Sequence, residues 1–284
     1  MKRLVLAVML AQAMLLVAAG SGAARLSEPQ AKSIAAEFAK AVGMTWGTPT
    51  RVELHKDVNA QRKQELELEF GDPTSTRRAI IGIDPARGVV SSAGDFAAVA
   101  AVNTRPTPVK LDEAAAVARA RKVMEAAGLE GILPLEPPTA WLKREGRAAS
   151  YYVLWRPTYR HIPYDSVAVQ VNISAVDGRL ISMSTGLDVV PPRSTKVTVS
   201  KESAIKSATG WAKRFDASFR PSTTKADLRI VTANSYWWHY KLGPEVTPDS
   251  RVAWVVELTG AGRQLIFWID AADSDLLGGT QSLG

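Results

Sequence analysis

Three histidines are the first side chains that could do acid–base or metal chemistry, and they lie far apart: His55, His161 and His239. None has a second histidine at ligand spacing, and there is no His-Glu-x-x-His segment to hold zinc. No Gly-x-Ser-x-Gly elbow presents a serine nucleophile. The chain has no cysteine, which excludes disulfides, thiolate metal sites, a thiol nucleophile and a lipid-modified cysteine. Asp270, Asp273 and Asp275 could offer oxygens to calcium, but they lack the Asp-x-Asp-x-Asp-Gly spacing and the closing glutamate of an EF-hand. Aspartates of this kind suit a turn, where they bond nearby amides. The expectation is a non-enzymatic chain with no catalytic residue, no metal and no cofactor.

Binding is the remaining chemistry. Tyr236-Trp237-Trp238-His239-Tyr240 is expected on a strand from Ser235 to Leu242, with Tyr236, Trp238 and Tyr240 on one face and Trp237 and His239 on the other. Both faces cannot be equally buried in two layers, so Trp237 is either exposed or covers a neighbouring unit. Exposed aromatics anchor protein partners; sugar stacking and a packed seam between units are the alternatives. Trp155, Trp254 and Trp268 are expected in the core. The candidate protein-binding residues are Trp237, His239, His161 and Tyr164.

The elements that would position them come in three sets. Amphipathic helices begin near Ser27, Asp112 and Ser200, each behind a residue that caps helices well. Apolar strands then close in similar turns at Ile83 to Gly88, Ile173 to Gly178 and Ile269 to Ser274. A repeat this long is a small domain rather than one turn of a solenoid. Short polar turns between strands favour antiparallel pairing, and one helix per sheet gives two layers. The expected fold is α+β, with three tandem two-layer units, each one helix packed on an antiparallel sheet. Residues 25–105, 106–190 and 191–284 are the units, joined by connectors at Pro106 to Pro108 and Pro191-Pro192.

Residues 1–24 have the form of a secretion signal: Lys2 and Arg3, an apolar run from Leu4 to Ala19, then small residues. An uncleaved anchor is the alternative. Removing Lys2 and Arg3 takes the basic residues from 35 to 33 against 28 acidic ones, a charge of +5. The basic residues are scattered, which speaks against nucleic acid. No other stretch has transmembrane length, so the expected location is outside the cytoplasm, periplasmic or extracellular, with no membrane span after cleavage.

Tyr151 to Arg156, then Ile162-Pro163-Tyr164, Val167 to Ile173 and Asp177-Gly178-Arg179-Leu180, resemble a PepSY-type domain. The third unit matches through Ala253 to Leu258, Phe267-Trp268-Ile269-Asp270-Ala271 and Leu276-Leu277-Gly278-Gly279. The first unit matches only in its helix and in Ile83 to Val90. The resemblance is to tandem PepSY-like units of secreted bacterial proteins, with a PepSY or cystatin-like helix on a sheet. One departure is His161, where the family often has glycine before the Ile-Pro pair. The resemblance implies a non-catalytic module that restrains or chaperones a secreted peptidase, or docks on an envelope protein. A structural envelope spacer with no specific ligand is the alternative.

Overall fold

The computed structural model describes residues 26–59, 62–104, 108–145 and 148–283. The expected leader lies outside them. Among the described residues no helix is long and apolar enough to cross a membrane.

The three expected helices form where their caps predict. In α1 (Glu28–Val42) the Ser27 amide donates to the Gln30 side chain at 2.9 Å, and Gly43 ends the helix in the left-handed region. Asp112 accepts the Ala115 amide at 2.8 Å, and α3 (Glu113–Ala126) follows. Ser200 accepts the Ser203 amide at 3.2 Å ahead of α4 (Lys201–Phe215). A further helix, α2 (Phe96–Thr104), is apolar from Phe96 to Val102 and shows no helical face in the sequence.

The strands overturn the expected fold class. The chain is mainly β, and it is not three helix-on-sheet units. The first two sets of strands are one eight-stranded antiparallel sheet. It contains β1 (Arg51–Asn59), β2 (Arg62–Gly71), β3 (Arg78–Asp84), β4 (Val89–Asp95), β5 (Thr139–Glu145), β6 (Ala148–Trp155), β9 (Val169–Ser174) and β10 (Leu180–Thr185), in the order β1-β2-β3-β4-β10-β9-β6-β5. The order reads as a palindrome about β4 and β10, the last strands of their sets, which pair through Ser182↔Gly94, Met183↔Ala93 and Ser184↔Ser92. The physical reason is edge satisfaction. Each of these strands would otherwise bury one face while leaving a row of backbone groups unpaired. Both α1 and α3 lie on the same face of this sheet, over one core that includes Phe38, Phe70, Ile81, Met124, Val153 and Val171.

A short hairpin, β7 (Thr158–Tyr159) and β8 (Ile162–Pro163), leads to a four-stranded sheet, β11-β12-β13-β14. Its strands are β11 (Thr223–Thr232), β12 (Ser250–Gly260), β13 (Arg263–Asp270) and β14 (Leu276–Leu283). Helix α4 packs over Val256, Leu258, Leu265 and Phe267. The two larger sheets meet at Tyr164, Val167, Ile230, Val252 and Ala271. Beside that seam Glu136 pairs with Arg156 at 3.1 Å and with Arg229 at 3.2 Å. Burial pushes the Asp165 carboxyl up, against the pull of Arg156 and Arg229.

The strand expected from Ser235 to Leu242 is also corrected. Trp237–Tyr240 is a single 3-10 turn, ended by Lys241 in the left-handed region at φ 61. Asn234 forces this. Its side chain accepts the Tyr236 amide and the Gly279 amide, both at 3.1 Å, and donates to the Gly279 carbonyl at 3.1 Å. Its own amide donates to the Leu277 carbonyl at 2.9 Å. The chain therefore bends at Asn234, tying itself to β14 instead of extending.

The three similar turns share one geometry. The amides of Gly88, Gly178 and Ser274 donate to the carbonyls of Asp84, Ser174 and Asp270 at 2.8, 3.0 and 3.1 Å. All three donors are left-handed, at φ 67, 72 and 72. Serine lacks glycine's freedom there. Ser274→Gly is expected to raise stability by about 0.5–1 kcal/mol, read from the urea midpoint; a lower midpoint would contradict a strained turn.

Candidate functional site

The four candidate binding residues lie at two places on opposite edges of the four-stranded sheet. The 3-10 turn carrying Trp237 and His239 sits against β14, whereas Tyr164 sits against β11. Trp237 is 1% exposed, neither on the surface nor at a seam between units. Its indole N–H donates to the Ile266 carbonyl at 2.9 Å, and its ring stacks on Phe267 with centroids 4.5 Å apart. The exposed ring is the neighbouring Trp238, with His239 edge-on beside it. Tyr164 is buried at the seam, where its hydroxyl donates to the Val190 carbonyl at 3.1 Å. His161 is exposed at the hairpin tip. Arg160 and His161 are both left-handed there, at φ 49 and 68, as a two-residue hairpin turn requires.

The acidic turn is occupied by the chain itself. Asp270 is buried, accepts the Ala272 amide at 2.7 Å and pairs with Arg251 at 2.5 Å. Among the described residues no group of three His, Asp or Glu side chains could hold a metal ion. Glu65 is buried as well, accepting the Ser91 and Ser92 hydroxyls at 2.7 and 2.6 Å.

What the structure builds beyond these residues is a set of sheet edges in different states. The outer side of β11 is already taken by another part of the chain. The segment after β8 runs parallel to it, with Tyr164 bridged to Ile230 and the Asp165 amide donating to the Ile230 carbonyl at 2.8 Å. This is strand addition within one molecule: backbone bonds give the register, and Tyr164 enters the apolar cluster beside the edge.

Similar proteins give this architecture a relative. No family model matches the chain, and no curated protein does. Among solved structures, the Bacillus megaterium YpeB C-terminal domain matches with a TM-score of 0.52 at 15% identity, over 92% of this chain and 99% of that domain. An uncharacterized protein from Eubacterium rectale matches with a TM-score of 0.52 at 11% identity, over 88% of this chain and 82% of that one. The chain shares the fold of these two structures. At these identities the likeness concerns the fold alone.

Within this fold, β5 is the counterpart of β11 in the preceding set. The amides of Ala175 and Ala271 donate to the carbonyls of Ala149 and Val252, so those two residues correspond. Their partners on the outer strand are Arg144 and Ile230. Among the described residues no strand pairs with the outer side of β5. On one face of it Trp141, 41% exposed, stacks on Tyr152 at 5.6 Å, and the Lys143 ammonium lies 5.4 Å from the same ring. On the helix side, just ahead of β5, a cleft of about 540 Å³ opens between Met124, Leu129, Leu135, Pro137 and Trp155, with Arg121 at its lip. The sequence carried one sign of this strand that was missed: Thr139, Trp141 and Lys143 alternate with Ala140, Leu142 and Arg144 directly after Pro137-Pro138.

Proposed function

We propose that this chain is an exported, non-catalytic protein made of tandem PepSY-like sets, acting as a protein-binding module. Its partner would be a secreted peptidase that it restrains or chaperones, or an envelope protein on which it docks. One observation carries this: the fold already binds an extended segment at a sheet edge, Ile162–Asp165 on β11, and among the described residues no strand takes the equivalent edge at β5. The exposed Trp141 platform beside that edge is the kind of aromatic surface that anchors partners. Support for a non-catalytic role comes from carboxylates already engaged within the chain, since the buried Asp270 and Glu65 and the half-buried Glu136 hold Arg251, Ser91 with Ser92, and Arg156 with Arg229 respectively. The spacer alternative draws on the seam, where Tyr164 and the Glu136 pairs tie the two larger sheets together.

Tagged protein lacking residues 1–24, incubated with envelope and secreted fractions, is expected to retain a peptidase or envelope protein. The Trp141→Ala variant is expected to retain clearly less. If nothing is retained at either low or high salt, binding is overturned and the spacer stands.

A further inference from the structure

From the seam between the two larger sheets we infer a regulatory device: the segment 162–165 is a proton-sensitive clasp, seated on β11 while the Asp165 carboxyl is protonated and loosened when it ionises. The inference does not depend on the binding-module reading. Its first support is how few bonds hold the clasp to β11. One bridge, Tyr164 to Ile230, and one backbone bond, from the Asp165 amide to the Ile230 carbonyl at 2.8 Å, give the register. The Tyr164 hydroxyl adds a bond to the Val190 carbonyl at 3.1 Å, and Tyr164 packs in a cluster with Val167, Ile230, Val252 and Ala271. The residue that donates the backbone bond also carries the ionisable group, so a change of charge acts on the bond itself.

The second support is what surrounds that carboxyl. Asp165 is half-buried, and among the described residues its carboxylate has neither a hydrogen bond nor an ion pair. Arg156, just after β6, and Arg229, on β11, attract it, but both guanidiniums are held by Glu136, at 3.1 and 3.2 Å. Glu257, on β12, repels it. Two arginines are thus met by two glutamates before Asp165 is counted, and its charge is the surplus one at a partly desolvated seam. Burial raises this carboxyl above its ordinary value of 3.8, the two arginines pull it down, and Glu257 adds to the rise. Linkage fixes the sign. The cost of the charge is absent below pH 3.8 and grows as pH rises through the raised value, so the clasp is tightest in acid. Loosening bares Tyr164 and frees the Ile230 carbonyl, an acceptor on the outer side of β11.

The chain has no cysteine, so a single introduced thiol can report opening. Val167→Cys places it in the seam cluster, at a position 6% exposed. In the chain lacking residues 1–24, labelling by a pyridyl disulfide is compared with and without Asp165→Asn, from about pH 4 to about pH 7. Taking the ratio of rates at each pH cancels the reagent's own pH dependence. Near neutrality the chain that keeps Asp165 is expected to label about twofold faster or more, with the ratio falling toward one in acid. Glu257→Gln removes the repelling charge while keeping an oxygen for Gln264, and is expected to slow labelling at neutrality in the chain that keeps Asp165. Equal rates with and without Asp165→Asn at neutrality, a ratio that does not fall in acid, or faster labelling after Glu257→Gln overturns the inference. Should Val167→Cys itself disturb folding, hydrogen exchange of the residue-165 amide in the cysteine-free chain, with and without Asp165→Asn, reads the same ratio. None of these outcomes turns on whether a protein is retained from envelope fractions.

Discussion

Replacing Trp237 with alanine is expected to lower stability by about 3–5 kcal/mol, the cost of removing a fully buried large aromatic. The ring is stacked on Phe267, met edge-on by Phe215 and Tyr236, and hydrogen-bonded through its N–H to Ile266. Collapse around the resulting hole is restricted, because these neighbours hang from α4, from β13 and from the turn itself. The β14 backbone records the same fit. A Cβ at Gly279 would stand 2.5 Å from the indole nitrogen and 2.0 Å from the Ile266 carbonyl, so only glycine lets the indole lie there. Denaturant titration should show a large fall in midpoint with an unchanged slope. Trp238→Ala, at a ring 42% exposed, should change stability by no more than about 0.5 kcal/mol. Comparable losses at the two positions would contradict the burial described.

Arg251→Ala is the second large effect, expected to cost about 3 kcal/mol, the low end for breaking a buried pair, because the arginine itself remains about a quarter exposed. The loss arises from what stays behind. Asp270 is 2% exposed, and without Arg251 its charge would face Asp273 and Asp249, both now also within 4 Å of the guanidinium. Asp270→Asn in the same chain should recover much of the loss. An asparagine oxygen still accepts the Ala272 amide but leaves no buried charge. If the double variant were no more stable than Arg251→Ala alone, the uncompensated charge would not be the cause.

The helices and turns were legible in the sequence because their signals are local. Ser27, Asp112 and Ser200 cap the helices that follow within three residues, and the left-handed positions at 88, 178 and 274 repeat visibly. The fusion of two sets into one sheet was not legible. It depends on β4 meeting β10, strands some ninety residues apart whose composition gives no sign of their neighbour. The aromatic run was misread because alternation over Tyr236 to Tyr240 matches a strand, whereas Asn234 fixes a bend through contacts with distant β14. Helix α2 escaped because Phe96 to Val102 is apolar all round and so has no face to detect. The β5 edge was passed over because its interleaved Lys143 and Arg144 read as solvated surface. Their placement on the last strand of the eight-stranded sheet is a property of the fold.

Asn234 has a consequence for the outer side of the four-stranded sheet. β4 and β10 cover one another's edges, whereas among the described residues no strand pairs with the outer side of β14. Both backbone groups of Gly279 are committed to the Asn234 amide, so a side chain occupies the place that a neighbouring strand would take.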